Sequence, residues 1–342
     1  MAGTRICCRP STRPCWWPWG ASPYAAPLLH VSGKPKKVIV IRIGVDLGGT
    51  KIELAALDAA GRARHRSRIE TPGAYEPTVE AVAALVEAAE RALGASGTVG
   101  VATPGARSLR TGRIKNANST WLNGRPLQED LERRLAREVR IANDANCFAL
   151  SEAMDGAGRD AEVVFGVILG TGVGGGIVAQ RRVLSGANAI AGEWGHNPLP
   201  LPTPEDHPLP LCYCGRRGCV ETYLSGPGLA ADLARVSGER LSAAEIARRA
   251  EAGDADCGAA LERYQARLAR ALAMAINILD PDAIVLGGGL SKVRRLYDRV
   301  PGLWGAHVFS DEVRTRLLPP VHGDASGVRG AAWLWEAPAA SP

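Results

Sequence analysis

Apolar residues along this chain recur with two different periods, and the blocks of each period follow a repeated order. From Val38 the run Val-Ile-Val-Ile-Arg-Ile-Gly-Val is β-branched and leads into Asp46 and the Gly48-Gly49 pair, which predicts a strand ending in a turn. After the turn, Lys51 to Asp58 alternates with period two, and Arg62 to Glu70 supplies a third strand. A strand, a glycine turn and a returning strand make a hairpin, not a strand feeding a helix. Glu76 to Leu93 then carries apolar residues at helical spacing, and the run from Thr98 reads as a short buried strand ending at Pro104. Glu138 to Ala142 is another strand that reaches Asn143-Asp144, and Ala145 to Gly156 reads as a helix.

The pattern restarts at Glu162. Val163 to Leu169 is β-rich, Gly170-Thr171-Gly172-Val173-Gly174-Gly175-Gly176 forms a second glycine turn, and the chain returns as a strand from Ile177. Leu261 to Leu279 is a long amphipathic helix, Asp282 to Leu286 a strand, and Gly287-Gly288-Gly289 a third glycine turn. Two strand, turn, strand units predict an internal duplication, hence two α/β lobes with a cleft between them.

Composition narrows the function classes. The chain has 342 residues, 46% of them hydrophobic, with no uninterrupted apolar run near membrane-spanning length, so a globular protein without a membrane span is expected. The net charge of +6 suggests a nucleic-acid partner until its location is considered. Residues 1–45 hold seven basic side chains and no acid, which leaves 34 basic against 35 acidic side chains in the remainder. The body is near neutral and lacks an aromatic-interleaved basic stripe, so no nucleic-acid partner is expected.

Residues 1–37 are rich in Pro, hold three of the eight Cys and three of the eight Trp, and show neither period. They read as a disordered or non-native extension, since Pro10, Pro14, Pro18, Pro23 and Pro27 interrupt every candidate apolar core for a secretory signal. The clustered thiols further along read as metal ligands in a reducing compartment, and a cytoplasmic location is expected.

Gly170-x-Gly172-x-x-Gly175 matches the dinucleotide fingerprint, but that motif requires a helix directly after the glycines and Ile177-Val-Ala-Gln180 is β-like. No P-loop sequence occurs. The remaining reading is hairpin turns whose backbone N–H groups converge on phosphate oxygens. Asp46 before the first turn suits hydrated Mg²⁺, while Thr50 and Lys51 add a hydroxyl and a cation. Asn143-Asp144 sits where a buried strand meets a helix, the usual place for a site residue in an open α/β sheet. Asp144 can accept the proton of a hydroxyl attacking a γ-phosphorus, or it can serve as a helix N-cap.

His196, Cys212, Cys214 and Cys219 offer one nitrogen and three sulfurs, a set suited to tetrahedral Zn²⁺ with no open position and therefore structural. Such a knuckle would fix Glu193, His196 and Glu221 relative to one another, and carboxylates so held are good acceptors for sugar hydroxyls.

These residues together resemble the ROK family of the actin-like ATPase superfamily, which contains sugar kinases and repressors. Asp46-Leu-Gly-Gly-Thr-Lys51 matches its first phosphate motif, Glu193-Trp-Gly-His196 its sugar motif, and Cys212-Tyr-Cys-Gly-Arg-Arg-Gly-Cys-Val-Glu221 its zinc signature. Lys115–Asn123, Asn143–Cys147, Gly192–Pro200 and His322–Trp335 look especially like bacterial fructokinases with mannokinase activity. The resemblance implies a two-lobed actin-like ATPase fold, a duplicated ribonuclease H-like arrangement with a zinc knuckle. Its N-terminal lobe would span 38–147, joined by a C-terminal helix over 328–340, and its C-terminal lobe 148–327. It implies Asp144 as catalytic base, Asn118, Asn143, Glu193, His196 and Glu221 on the sugar, and His196 with Cys212, Cys214 and Cys219 on zinc. Asp46, Gly48, Gly49, Thr50, Lys51, Gly170, Thr171, Gly172, Gly287 and Gly288 would line the site for ATP and Mg²⁺. The implied activity is ATP-dependent phosphorylation of the 6-hydroxyl of a hexose, D-fructose first, with a glucokinase or N-acetylglucosamine kinase as the alternative. A homodimer is a family expectation. A sugar-sensing repressor would carry a helix-turn-helix ahead of the sugar domain, and about 37 Pro-rich residues do not supply one.

Overall fold

Each expected hairpin heads a five-stranded sheet, and the two sheets repeat one strand order. The structure is a computed structural model that describes residues 40–335; the extension expected at 1–37 lies outside the described residues. The chain runs through β1 (Arg42–Leu47), β2 (Lys51–Leu57), β3 (Ala63–Glu70), α1 (Tyr75–Leu93), β4 (Thr98–Thr103), a small hairpin of β5 (Ala106–Arg107) and β6 (Ile114–Lys115), α2 (Leu127–Leu135), β7 (Val139–Asn143) and α3 (Asp144–Met154). The second half contributes β8 (Val163–Leu169), β9 (Val173–Ala179), β10 (Arg182–Val183), α4 (Glu221–Leu224), α5 (Gly226–Ser237), α6 (Ala243–Glu251), α7 (Ala255–Leu279), β11 (Ala283–Gly287), α8 (Arg294–Trp304), β12 (Arg316–Leu318) and α9 (Ser326–Trp333).

The sheet orders are β3-β2-β1-β4-β7 and β10-β9-β8-β11-β12. In each, three antiparallel strands are followed by two parallel ones. The duplication read from the glycine turns is therefore present strand for strand. Two boundaries differ from the sequence reading. Strand β9 begins at Val173, so Gly174 to Gly176 pair with β8 instead of turning, because their backbone groups complete the ladder opposite Gly166 to Ile168. The C-terminal helix starts at Ser326 and closes at Trp333, and residues beyond 335 lie outside those described.

Separate cores form on the two sheets, one around Ile43, Val45, Leu131 and Val139 and one around Phe165, Leu169, Tyr264 and Leu286. A third cluster joins α3 and α9 to strands of both sheets, with Phe148, Leu150, Val285, Val328 and Trp333 among its members. Helix α3 is continuous across the lobe boundary read at 147/148. It crosses α9 closely because Gly330 carries no side chain: a Cβ there would lie 1.7 Å from the Cys147 carbonyl oxygen. At the same junction the fully buried Glu152 accepts hydrogen bonds from the Ala157 and Val321 N–H groups and the Ser326 hydroxyl, so its charge is met by donors from both segments. Among the described residues no helix is long and apolar enough to cross a membrane.

Candidate active site

Acidic side chains gather at the C-terminal ends of the parallel strands of the first sheet. Asp46 lies beside Ala102 of β4 and opposite Glu53 of β2, and Asn143 ends β7 beside Thr103. Burial first, then the neighbouring charges of Asp144 and Glu53, pushes the Asp46 carboxyl up to about 6, against the opposing pull of Lys51. Carboxylates crowded in this way suit a divalent cation, and the donor set fits Mg²⁺, which needs few carboxylates and keeps its waters. The first turn of α9 packs here too, with Gly327 directly against the Asp46 carboxylate.

The strand-to-helix junction gives the N-cap position to the residue before Asp144. Asn143 is the N-cap of α3: its Oδ1 accepts the Ala145 N–H at 2.9 Å, and its Nδ2 donates to the Gly105 carbonyl at 2.9 Å. Asp144 is the first helical residue, accepting the same N–H at 2.8 Å and exposed along one side. Protein packed around its other sides raises its pKa; the Ala145 N–H works against that, and the charge of Glu193 reinforces it. The charge of Asp144 thus acts on Asp46, and the charge of Glu193 acts on Asp144.

Glu193 opens onto a cleft of about 770 Å³ whose lining also includes Asn118, Asn143, His196, Lys115 and Tyr213. Four of the five expected sugar residues therefore meet in one cavity. The fifth, Glu221, is absent from that lining: its Oε2 accepts the Val173 N–H at 2.9 Å, which ties α4 to the start of β9. A chamber of about 240 Å³ adjoins the cleft at Asn143, Glu193 and Ile190 and extends to Thr103, Arg107 and Asn146.

The second and third glycine turns lie side by side, since Gly287 pairs with Ile168 across β11 and β8. Gly288 sits at φ +79°, and a Cβ on it would come within 2.5 Å of the Leu169 carbonyl oxygen, so only glycine lets the turns nest. Beside them is a largely apolar cavity of about 510 Å³ walled by Gly170, Thr171, Pro227, Ala230, Ala243 and Val293. Sequence reading named Gly170 and Thr171 but missed the rest of this wall, although Ser225 followed by Gly-Pro-Gly is a helix-start signal, with Ser225 capping α5 through the Gly228 N–H. In the first turn, the Gly48 N–H donates to the Lys51 carbonyl at 3.0 Å. Lys51 was expected to face phosphate, yet its Nζ pairs with Glu53 at 2.7 Å.

His196, Cys212, Cys214 and Cys219 converge, with their ligand atoms all within 4.8 Å of one another. Tetrahedral zinc with Zn–S of about 2.3 Å and Zn–N of about 2.0–2.1 Å sets thiolates about 3.8 Å apart and a thiolate about 3.6 Å from an imidazole nitrogen. Cys214 and Cys219 sulfurs are 3.6 Å apart, and Cys212 Sγ is 3.6 Å from His196 Nδ1, so the donors fit that ion. The loop ahead of the knuckle is anchored by a buried charge network. Asp206 meets Arg267 and Arg270 of α7 at 2.7 Å each, Arg267 reaches Asp232 at 3.0 Å, and the Tyr223 hydroxyl donates to the Asp206 carbonyl. Burial alone would raise the Asp206 carboxyl, but the Thr203 N–H and the two guanidiniums bring it below the usual range.

Comparison with known proteins places this geometry. The ROK family profile matches residues 42–337. The N-acetyl-D-glucosamine kinase of Salmonella newport (strain SL254) is 41% identical over 296 residues, covering 85% of this chain and 98% of that protein. Among solved structures, the ROK hexokinase from Thermus thermophilus superposes with a TM-score of 0.77 at 31% identity, covering 86% of this chain and 97% of that one. The ROK family glucokinase from Streptomyces griseus, solved with glucose and AMPPNP, gives a TM-score of 0.67 at 28% identity, covering 85% of this chain and 98% of that one.

Proposed function

The chain belongs to the ROK family and is a sugar kinase, and we propose that it transfers the γ-phosphate of MgATP to the 6-hydroxyl of a hexose with Asp144 as general base. The observation that carries this reading is the placement of Asp144 at the start of α3, directly after the cleft residue Asn143, where its charge acts on Asp46 and that of Glu193 acts on it. A carboxylate whose proton affinity is raised takes up a hydroxyl proton more readily, and phosphoryl transfer asks little more of a protein than alignment and charge neutralisation.

In this reading the 770 Å³ cleft holds the sugar through Glu193, His196, Asn143 and Asn118. Asn143 already spends one N–H on Gly105 and one acceptor site on Ala145, so it offers the second of each. Glu221 acts through the Val173 N–H by setting the second glycine turn. The apolar 510 Å³ cavity takes the adenine, and Gly170, Thr171 and the Gly287-Gly288 turn lie toward the phosphates. Mg²⁺ supplies charge neutralisation on the phosphates, and Asp46 is the residue that would hold it. Zn²⁺ in the His196, Cys212, Cys214 and Cys219 set would keep the cleft wall in shape. The two sheets would act as lobes that close to exclude water.

For the sugar, the 41% identity to N-acetyl-D-glucosamine kinases, together with the hexokinase and glucokinase neighbours, supports N-acetyl-D-glucosamine or glucose ahead of the fructose expected from sequence. D-Fructose stays as a second reading because the strings that suggested it reach the cleft directly, through Lys115, Asn118, Glu193, His196 and Asn197. The test is ADP release from MgATP with N-acetylglucosamine, glucose, mannose and fructose separately, at matched concentrations. Turnover strongest with N-acetylglucosamine or glucose supports the first reading, and strongest with fructose the second. No turnover with any, from folded and zinc-loaded protein, overturns the mechanism.

A further inference from the structure

We propose that Tyr213 gates the sugar cleft: its hydroxyl occupies the one nitrogen of His196 that remains for substrate, so a hexose binds by displacing the tyrosine. The inference rests on the sugar site proposed above and adds a residue to it.

His196 has two ring nitrogens with separate neighbours. Nδ1 faces Cys212 Sγ at 3.6 Å, on the side of the thiol cluster, and Nε2 lies 2.9 Å from the Tyr213 hydroxyl. With Nδ1 turned toward the thiols, Nε2 is the nitrogen left beside Tyr213, and in either tautomer it makes one hydrogen bond. One such nitrogen serves one partner well, so Tyr213 Oη and a sugar hydroxyl compete for it. Both side chains line the 770 Å³ cleft, where the sugar would arrive.

The tyrosine is built to move. Its neighbours Cys212 and Cys214 are in the metal-ligand set, so its backbone is tethered, while its side chain is 83% exposed. Among the described residues, its hold on the site consists of that hydrogen bond and an edge-on contact with the imidazole, ring centres 5.1 Å apart at 84°. An exposed phenol with one hydrogen bond and one ring contact can swing into water at small cost, since water replaces the lost bond. The Cys-x-Cys spacing thus does two jobs: the cysteines fix the wall and the intervening residue covers the donor.

The test is Tyr213→Phe, which keeps the ring and removes the oxygen, made in the full chain and checked for zinc content equal to the parent. Sugar binding is measured by calorimetry without nucleotide, using N-acetylglucosamine and fructose, and KM for each is measured alongside. Release of one exposed hydrogen bond corresponds to tightening of about two- to tenfold. That gain, seen in both calorimetry and KM and for both sugars, is the expected result. Affinity that is unchanged, or weaker because the phenol oxygen itself binds the sugar, overturns the gate. If neither protein binds any hexose, the gate falls together with the sugar site, whereas turnover with a parent-like affinity in the variant sinks the gate alone.

Discussion

Replacing Asp144 by Asn separates chemistry from structure at this site. The variant retains an acceptor oxygen for the Ala145 N–H, which Asp144 meets at 2.8 Å, and Asn143 caps the same group at 2.9 Å independently. The start of α3 therefore stays capped, and removing a charge that repels Asp46 and Glu193 relieves strain instead of adding it. Thermal stability should be equal to or slightly above that of the parent. Catalysis should fall by about 10²- to 10⁴-fold, the usual worth of a positioned general base, equivalent to about 2.7–5.4 kcal/mol on the barrier at 1.36 kcal/mol per decade. The assay is ADP release at saturating sugar and MgATP, paired with calorimetric sugar binding and a melting curve. Sugar affinity should stay within about threefold, since amide and carboxylate both accept a hydroxyl. A variant that keeps more than about a tenth of parental kcat would refute Asp144 as base. A large loss of stability would refute the capping argument.

Other outcomes follow from the same geometry. The metal set should yield about one zinc per folded chain, and chelation should lower stability and sugar affinity together; a chelated protein with unchanged melting would remove zinc from the structure. Asp206→Ala leaves the buried Arg267 and Arg270 without their shared carboxylate, at a cost of about 3–5 kcal/mol by urea unfolding. A loss below about 1 kcal/mol would mean that the network does not anchor the loop. Because the Asp46 carboxyl is raised in the folded state to about 6 from 3.8, the folded protein binds a proton before the unfolded chain does. Its charge therefore costs stability above pH 6, and that cost is relieved as pH falls from about 6 toward 4. The proton also competes with Mg²⁺, so apparent Mg²⁺ affinity should drop about tenfold from pH 7 to pH 5. Calorimetric Mg²⁺ titration showing equal affinity at both values would exclude Asp46 as the ligand.

Features set by near neighbours in the chain were legible without coordinates. The hairpins at Gly48-Gly49 and Gly170–Gly172, the helix after Asn143, and the duplication of the strand, turn, strand unit follow from period and turn residues, which act over a few positions. The Cys-x-Cys-x₄-Cys spacing with His196 likewise closes within about 25 residues, so chain connectivity alone nearly brings the ligands together. Packing decided what depends on remote partners. It held Asn143 through the Gly105 carbonyl, moved Glu221 onto the Val173 N–H and started β9 at Val173.

The same holds for contacts that no local signal announces. The repulsion between Asp46 and Asp144 joins positions about 100 residues apart, the Asp206 network joins the knuckle loop to α7, and Gly330 meets the Cys147 carbonyl across the α3–α9 crossing. The sequence by itself determined the duplicated hairpins, the helices after Asn143 and ahead of β11, and the chemical inventory of a sugar kinase, because backbone propensity and turn chemistry are local. Only the tertiary structure decided which of those groups share a cleft, which are spent on each other, and that a tyrosine stands over His196, because burial and hydrogen-bond satisfaction are settled between distant segments.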